Sequence, residues 1–255
     1  MRKFATLPFE EIIKRLLKSR HDLTCFKALA DLYFRKQDAT LRIREYEKSN
    51  KESKVKQLVA LSERCTNLPK YEDYSYQDVM LSTIAAVAPS KWFKNIFGHT
   101  DKENELYPSS KRFLKREFEN YTIHETYHRR SRVGIRWSDF TLVRKGLTGY
   151  ELLSLDVKVR LGAFDYFFNQ AHDFSYFSDR TFLICTAGLI LEASTKVGKR
   201  PTETEELFVN KLRKLGIGVY IVDTTSGVFE QLADADKSDS LDKILKNRAL
   251  HELLG

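Results

Sequence analysis

The sequence predicts an α/β or α+β protein in which a mixed sheet is flanked by helices and preceded by an all-helical N-terminal region. Two observations lead to this class. Apolar residues recur at helical spacing through the first hundred residues, whereas segments 132–144 and 150–159 carry the pattern of strands. Helical and strand-like segments then follow one another to the C-terminus, which is the order expected for a sheet covered by helices.

Residues 1–100 are predicted to form a helical region. One helical face is formed by Phe9, Ile12, Ile13, Leu16 and Leu17. A second helix is expected after Asp22, which we interpret as its cap, and another over 76–87 ends before Pro89. The sequence of this region contains no clear wing hairpin, so a winged helix is left open.

Residues 101–255 are predicted to form the second domain, and the segment 99–110, with Gly98 and Pro108, is predicted to be the boundary or connector. A basic helix over 110–120 is followed by two strands joined through the glycine-containing loop 145–149, which suits a hairpin. The remaining predicted elements are a helix over 162–177, a strand over 181–186, a helix over 204–215 ended by Gly216, a strand over 218–223 and a helix over 241–254.

The chain is basic, and this favours a polyanionic partner. Its 255 residues include 43 Lys and Arg against 35 Asp and Glu, a formal net charge of +8. Such an excess is typical of nucleic-acid binding through phosphate contacts, although a lysine-rich solvated surface has the same composition. No window approaches the roughly 18 apolar residues of a membrane span. The three cysteines are scattered, without a Cys-x-x-Cys pair, so we expect a cytoplasmic protein that does not enter a membrane.

The hairpin contains ionisable residues where apolar ones are expected. In the run Leu153-Ser154-Leu155-Asp156-Val157-Lys158-Val159, Asp156 and Lys158 are two positions apart and therefore point to the same face of a strand. Burying such groups is costly unless they are paired or bind a metal. Asp139 opens the other arm, so the hairpin can bring all three together. The alternative is an ordinary salt bridge on an exposed strand, with Asp139 as a turn residue.

These residues resemble the pattern of the PD-(D/E)XK nuclease superfamily, to which type II restriction enzymes and archaeal Holliday-junction resolvases belong. The resemblance covers residues 110–223. Asp139 matches the first acid, Asp156 and Lys158 match the acid-x-lysine pair, and Gln170 matches a glutamine on the following helix. The chain departs from the pattern in having Ser138 instead of a proline before the first acid, and aspartate where glutamate is commoner.

The resemblance implies a restriction-endonuclease-like fold and a nuclease, with DNA as substrate and Mg²⁺ or Mn²⁺ as cofactor. In such a protein, we expect residues 1–100 to bind DNA or to mediate formation of a homodimer. Asp139 and Asp156 would be metal ligands, because hard carboxylate oxygens suit these cations. Lys158 would orient water or neutralise developing charge, and Gln170 would orient water or phosphate. A helix glutamate is expected as a further ligand. Glu117 is the best match, with Glu119 and Glu125 as rivals.

Basic residues cluster on the helix before the hairpin and in the segment that leads into the hairpin, where they could follow a phosphate backbone without reading bases. The predicted nucleic-acid contacts are Lys111, Arg112, Lys115, Arg116, Arg129, Arg130, Arg132 and Arg136. A solvated charged face is the alternative reading of these residues.

Two further functions are compatible with the sequence. The first is a non-catalytic nucleic-acid-binding protein on the same fold. The second is a zinc peptidase, because His124, Glu125 and His128 match the spelling His-Glu-x-x-His. That motif acts within a long helix and needs a third ligand, whereas here it is followed at once by Arg129.

Overall fold

A computed structural model describes residues 3–87, 95–100, 102–129, 136–160 and 164–255, with no account of the side chains of 164–167. The strands are β1 (Lys3–Phe4), β2 (Leu7–Pro8), β3 (Thr122–Glu125), β4 (Phe140–Gly146), β5 (Gly149–Lys158), β6 (Arg180–Cys185), β7 (Ile217–Asp223) and β8 (Val228–Ala233). The helices are α1 (Phe9–Lys18), α2 (Asp22–Tyr33), α3 (Lys36–Lys48), α4 (Lys51–Cys65), α5 (Tyr76–Val87), α6 (Tyr107–Glu117), α7 (Phe164–Ser175), α8 (Ala187–Val197), α9 (Pro201–Lys214) and α10 (Lys243–Leu254). Short 3₁₀ turns cover Pro69–Tyr71 and Glu103–Glu105.

Six strands form one mixed sheet in the order β3-β4-β5-β6-β7-β8. Strands β5, β6 and β7 are parallel, while β3, β4 and β8 run antiparallel to their neighbours. The predicted hairpin is confirmed: Gly146 pairs with Gly149, which leaves a two-residue turn. The prediction of a mixed sheet flanked by helices is therefore confirmed, and the parallel strands share one carboxyl edge.

Each face of the sheet is covered by different helices. On one face, Leu153 and Phe182 pack with Phe113 and Leu114 of α6. On the other face, Leu183 and Cys185 belong to a core formed by α7, α8 and α9, and Leu152 packs with Phe174 of α7 and Leu253 of α10 in a third apolar cluster. Because side chains alternate along a strand, Asp156 lies on the same face as Leu152 and Leu183.

The helical N-terminal region packs on the β7 side of the sheet. Its helices α1 to α5 share one apolar core with α8, α9 and β7, so the core is continuous across the predicted boundary at residue 100. Arg15 of α1 reaches Asp223 at the end of β7, with 2.6 Å between the guanidinium and the carboxylate. Asp78 of α5 accepts hydrogen bonds from the backbone and the hydroxyl of Thr202 in α9.

Several element predictions needed correction. The strand expected over 132–144 begins only at Phe140, and residues 130–135 lie outside the described residues. Strands β3 and β8 and helix α8 were not predicted. Asp22 is not the cap of α2 but its first residue, and its buried carboxylate accepts a hydrogen bond from Tyr46. Gly216 does end its helix, with φ of +67°.

No helix in the described part of the chain has both the length and the apolar character needed to cross a membrane.

Candidate active site

The open end of the β4–β5 hairpin brings the predicted acids and lysine together. Asp139 directly precedes β4, and Asp156 and Lys158 are near the end of β5, which runs antiparallel to β4. The backbone N–H of Val157, between the two β5 residues, donates a hydrogen bond to Asp139 Oδ2 over 2.7 Å. The predicted convergence of Asp139, Asp156 and Lys158 is therefore present at the carboxyl edge of the parallel strands, where open α/β sheets bind ligands.

Asp139 is held in position from three sides. Besides the bond from Val157, Tyr107 Oη donates to Asp139 Oδ1 over 3.0 Å. The backbone carbonyl of Asp139 accepts from the N–H groups of Thr126 and Tyr127, just after β3. Burial raises the pKa of Tyr107, and the nearby Asp139 charge raises it further, so the phenol stays a donor. Each carboxylate oxygen of Asp139 keeps a lone pair for a further partner.

Asp156 is buried, and one of its oxygens lacks a hydrogen bond. The residue is 2% exposed, and Lys158 Nζ lies 2.8 Å from Oδ2 as an ion pair. Even so, Oδ2 accepts no hydrogen bond of regular geometry from any described residue. Burial raises the pKa of Asp156 to about 7, because the charges of Asp139 and Glu103 oppose the lowering effect of Lys158. The ammonium of Lys158 offsets only part of the cost of burying this carboxylate.

Lys158 remains positively charged despite its burial. Burial alone would lower the pKa of the ammonium, but Asp156 and then Glu103 raise it above its ordinary value. Glu103 Oε1 lies 3.7 Å from Lys158 Nζ. Burial raises the pKa of Glu103, partly offset by Lys158. The site is therefore an acidic cluster around one cationic side chain.

Glu103 reaches the site because its segment follows the carboxyl edge of the sheet. We call residues 96–100 and 102–107 the crossing segment. It contacts the end of β7 through Gly98, whose carbonyl accepts from Thr224 N–H, and the end of β6 through His99, 2.6 Å from the Thr186 hydroxyl. It then brings Glu103 to the end of β5 and Tyr107 to the start of β4. One segment thus supplies two groups to the site.

Two glycines allow this close passage. Gly98 has φ of +55°, and a Cβ there would lie 2.0 Å from Asp223 Oδ1. At Gly188, near the start of α8, a Cβ would lie 2.7 Å from the side chain of His99. Both positions therefore require glycine for the crossing segment to lie against the sheet.

Glu103 was not among the acids selected from sequence. It belongs to the segment interpreted as a connector, and its only signal is an acid shortly before the basic helix. Glu117 is exposed at the end of α6, and its charge acts on Tyr220 of β7. Of its rivals, Glu119 is exposed, and Glu125 accepts hydrogen bonds from Lys111 and Tyr127. The ligand role of Glu117 stays a prediction.

Gln170 is buried on α7, and that helix packs on β5 and β6. Within the described residues, no hydrogen bond joins Gln170 to Asp139, Asp156 or Lys158. The helix covers the face that carries Asp156, so Gln170 belongs to the same layer of the molecule, and its catalytic role stays a prediction.

The donor set suits a magnesium-type cation held by few protein ligands. Among the described residues, no three His, Cys, Asp or Glu side chains already form a group that could hold a metal ion. Mg²⁺, however, is commonly bound through one or two carboxylates and keeps several waters. The buried carboxylate of Asp156, which is ion-paired with Lys158, and the fixed carboxylate of Asp139 fit that requirement.

The predicted nucleic-acid contacts are partly exposed. On α6, Arg112, Lys115 and Arg116 are exposed, while Lys111 pairs with Glu125. Arg129 donates to the backbone carbonyl of Glu252 over 3.0 Å, and Arg136 is exposed. Arg130 and Arg132 lie outside the described residues.

The His-Glu-x-x-His motif does not lie in a helix. His124 and Glu125 belong to strand β3, and His128 follows in a turn. Spacing of four residues places two side chains on one face of a helix, not along a strand that then turns. Burial lowers the pKa of His124. The arrangement lacks the helical geometry that the zinc peptidase motif needs.

Comparison of the chain with protein-family models, with curated proteins and with solved structures found no match.

Proposed function

We propose that this protein is a divalent-metal-dependent nuclease with a restriction-endonuclease-like sheet, hydrolysing phosphodiester bonds in DNA. One observation carries the proposal: Asp139, Asp156 and Lys158 meet at the open end of one hairpin, where the buried carboxylate of Asp156 is paired with the ammonium of Lys158. The net charge of +8 and the exposed Arg112, Lys115 and Arg116 of α6 support a polyanionic substrate.

Asp139 and Asp156 would hold Mg²⁺ or Mn²⁺. When bound, such an ion stabilises negative charge on phosphate and lowers the pKa of a coordinated water. Tyr107 and the Val157 N–H keep Asp139 aimed into the site, which reduces the rearrangement needed on binding. Lys158, held cationic by Asp156 and Glu103, would face the phosphate and offset its charge.

Burial and acidity prepare the site for a cation. Because burial raises the pKa of Asp156 to about 7, its carboxyl is partly protonated and partly ionised near neutral pH. A divalent cation competes with that proton, so metal affinity should increase with pH. The same acids repel a phosphodiester in the absence of a cation, and this links substrate approach to metal binding.

The first experiment measures cleavage and metal binding separately. Purified protein is incubated with supercoiled plasmid, linear duplex, single strands and a four-way junction, each with Mg²⁺ or Mn²⁺. We expect cleavage of at least one DNA form, and loss of it in Asp156→Asn. Calorimetric titration with Mn²⁺ should show binding to wild-type protein and a loss of at least tenfold in affinity in Asp156→Asn.

A matched pair of variants tests whether Glu103 or Glu117 is the third acid of the site. Loss of cleavage in Glu103→Gln with retention in Glu117→Gln, the same change on an exposed residue, would assign the third acid to Glu103, and the reverse result would assign it to Glu117. Protein that binds DNA but cuts none of these forms with either metal would favour the non-catalytic nucleic-acid-binding alternative. Failure to bind Mn²⁺ would contradict the metal site itself.

A further inference from the structure

An open cavity of about 680 Å³ lies at the closed end of the same hairpin, opposite the candidate active site. We call it the hairpin groove and define it by Arg144, Tyr150, Glu151, Arg180, Lys237 and Lys243. Its walls come from the hairpin turn, the start of β6, the segment before α10 and the first turn of α10. It is therefore a surface assembled from four separate parts of the chain.

The hairpin groove has an excess of positive charge. Five cationic side chains line it against two carboxylates. Both carboxylates are engaged: Asp179 pairs with Lys246, and Glu151 pairs with Arg144. Within the described part of the chain, Arg180, Lys237 and Lys243 form no ion pair, and all three are exposed. The charges available to a ligand are thus cationic.

The arrangement suits a polymer of phosphates better than a single anion. The three available cations belong to different segments around a wide, open cavity, so one small anion cannot contact them all. A sugar–phosphate backbone presents a charge at each nucleotide and can meet several separated cations at once. Tyr150 is 39% exposed on the wall, and Leu147 at the turn is fully exposed, which offers apolar contact to sugars or bases.

We propose that the hairpin groove binds the backbone of the nucleic acid on which the candidate active site acts, an assignment that rests on the proposed function. Six residues of β5 separate Tyr150 from Asp156, a distance of about 20 Å at 3.3 Å per residue. This corresponds to about six nucleotides at 3.4 Å each along one strand. The contact fixes the position of the substrate without reading its sequence.

The test compares two double variants with the same loss of charge. Lys237→Gln/Lys243→Gln removes two exposed lysines of the groove, and Arg213→Gln/Lys214→Gln removes two exposed cationic side chains of α9. Binding of a fluorescent 20-base-pair duplex is followed by anisotropy over a range of salt, without divalent metal. We expect the groove variant to bind about tenfold more weakly and its log–log salt slope to fall by about 2, since each phosphate contact contributes about 0.9.

Three outcomes overturn the assignment. They are equal weakening in the two double variants, an unchanged salt slope in the groove variant, and displacement of the duplex by poly-glutamate as readily as by unlabelled DNA. The last would favour an acidic protein as partner. Failure here is distinct from failure of the proposed function: a wild-type protein that binds through the groove but never cuts supports the groove alone. If the wild-type protein cuts DNA and the groove variant binds DNA normally, the nuclease proposal stands and the groove assignment is wrong.

Discussion

Two buried aspartate–lysine pairs lie at opposite ends of the β5–β6 strand pair, and they differ in how fully their carboxylates are hydrogen-bonded. Asp179 accepts from the Leu152 N–H over 2.7 Å and from Lys246 Nζ at both oxygens. Asp156 pairs with Lys158, but its Oδ2 accepts no regular hydrogen bond from a described residue. The first pair is complete as a structural element, whereas the second has capacity for a further ligand.

This difference distinguishes a buried carboxylate that serves only the fold from one that can also bind a ligand. Both pairs are protected from water and both lie beside parallel strands, so burial alone does not distinguish them. The carboxylate of Asp179, which accepts three hydrogen bonds, has fewer free lone pairs for a metal ion than the carboxylate of Asp156, which is held by an ion pair with Lys158. This contrast gives predictions for stability at one end and for activity at the other.

The largest expected effect on stability belongs to the complete pair. Lys246→Met leaves the Asp179 carboxylate buried beside an apolar side chain, which should cost about 3–5 kcal/mol of unfolding free energy. Lys158→Met should cost less, because the carboxyl of Asp156 already has a raised pKa and can take up a proton. Urea denaturation at pH 6.5 measures both. Equal losses would remove the distinction between the two pairs.

The second prediction concerns the pH dependence of stability. The pKa of Asp156 is about 7 in the folded protein, above the value of about 4 in an unfolded chain, so the folded state binds the proton more tightly. This contribution is complete below pH 4 and is lost as pH rises through 7. Relative to Asp156→Asn, the wild-type protein should lose on the order of 2–4 kcal/mol between pH 4 and 8.

Thermal and urea unfolding at several pH values measure this difference, with the exposed Asp239→Asn as the control variant. Mg²⁺ should raise the melting temperature of the wild-type protein more at pH 8 than at pH 5, because the ion needs the ionised carboxylate. Parallel stability curves for wild type and Asp156→Asn would show that Asp156 does not titrate as its burial implies.

The sequence predicted the hairpin end of the site better than its crossing segment. Asp139, Asp156 and Lys158 were found because a strand places alternate residues on one face and a short turn fixes the register of its neighbour. These rules act locally. Glu103 and Tyr107 reach the site through a segment that follows the sheet edge, and its path depends on contacts with β6 and β7 far away in sequence.

The same limit applies to the fold. Helix α5 matched its predicted span because its apolar pattern and the following proline are local signals. Strands β3 and β8 were missed because both are edge strands with exposed or half-exposed residues, which lack the apolar run of a buried strand. The shared core of the helical region and β7 could not be read from patterns, since periodicity gives an apolar face but not its partner.

The smallest predicted effect compares two half-buried tyrosines that each donate to a carboxylate. Tyr107 binds Asp139 at the acidic end, and Tyr121 binds Glu151 at the basic end, over 3.0 and 2.7 Å. Replacing either with phenylalanine keeps the ring and removes one hydrogen bond to a charged group, which should cost about 1–2 kcal/mol of stability. The two variants should therefore unfold at similar urea concentrations.

Their activities should differ. Tyr107→Phe removes the hydrogen bond to Asp139 Oδ1, so the carboxylate is less firmly oriented. Cleavage at saturating DNA should therefore fall by about tenfold, the equivalent of 1.4 kcal/mol in the barrier. Tyr121→Phe should leave that rate unchanged, because Glu151 lies at the far end of β5 from Asp156. Cleavage rates under single-turnover conditions measure both. Equal rates for the two variants would mean that the hydrogen bond from Tyr107 supports only the fold, and that Asp139 is positioned by the Val157 N–H alone.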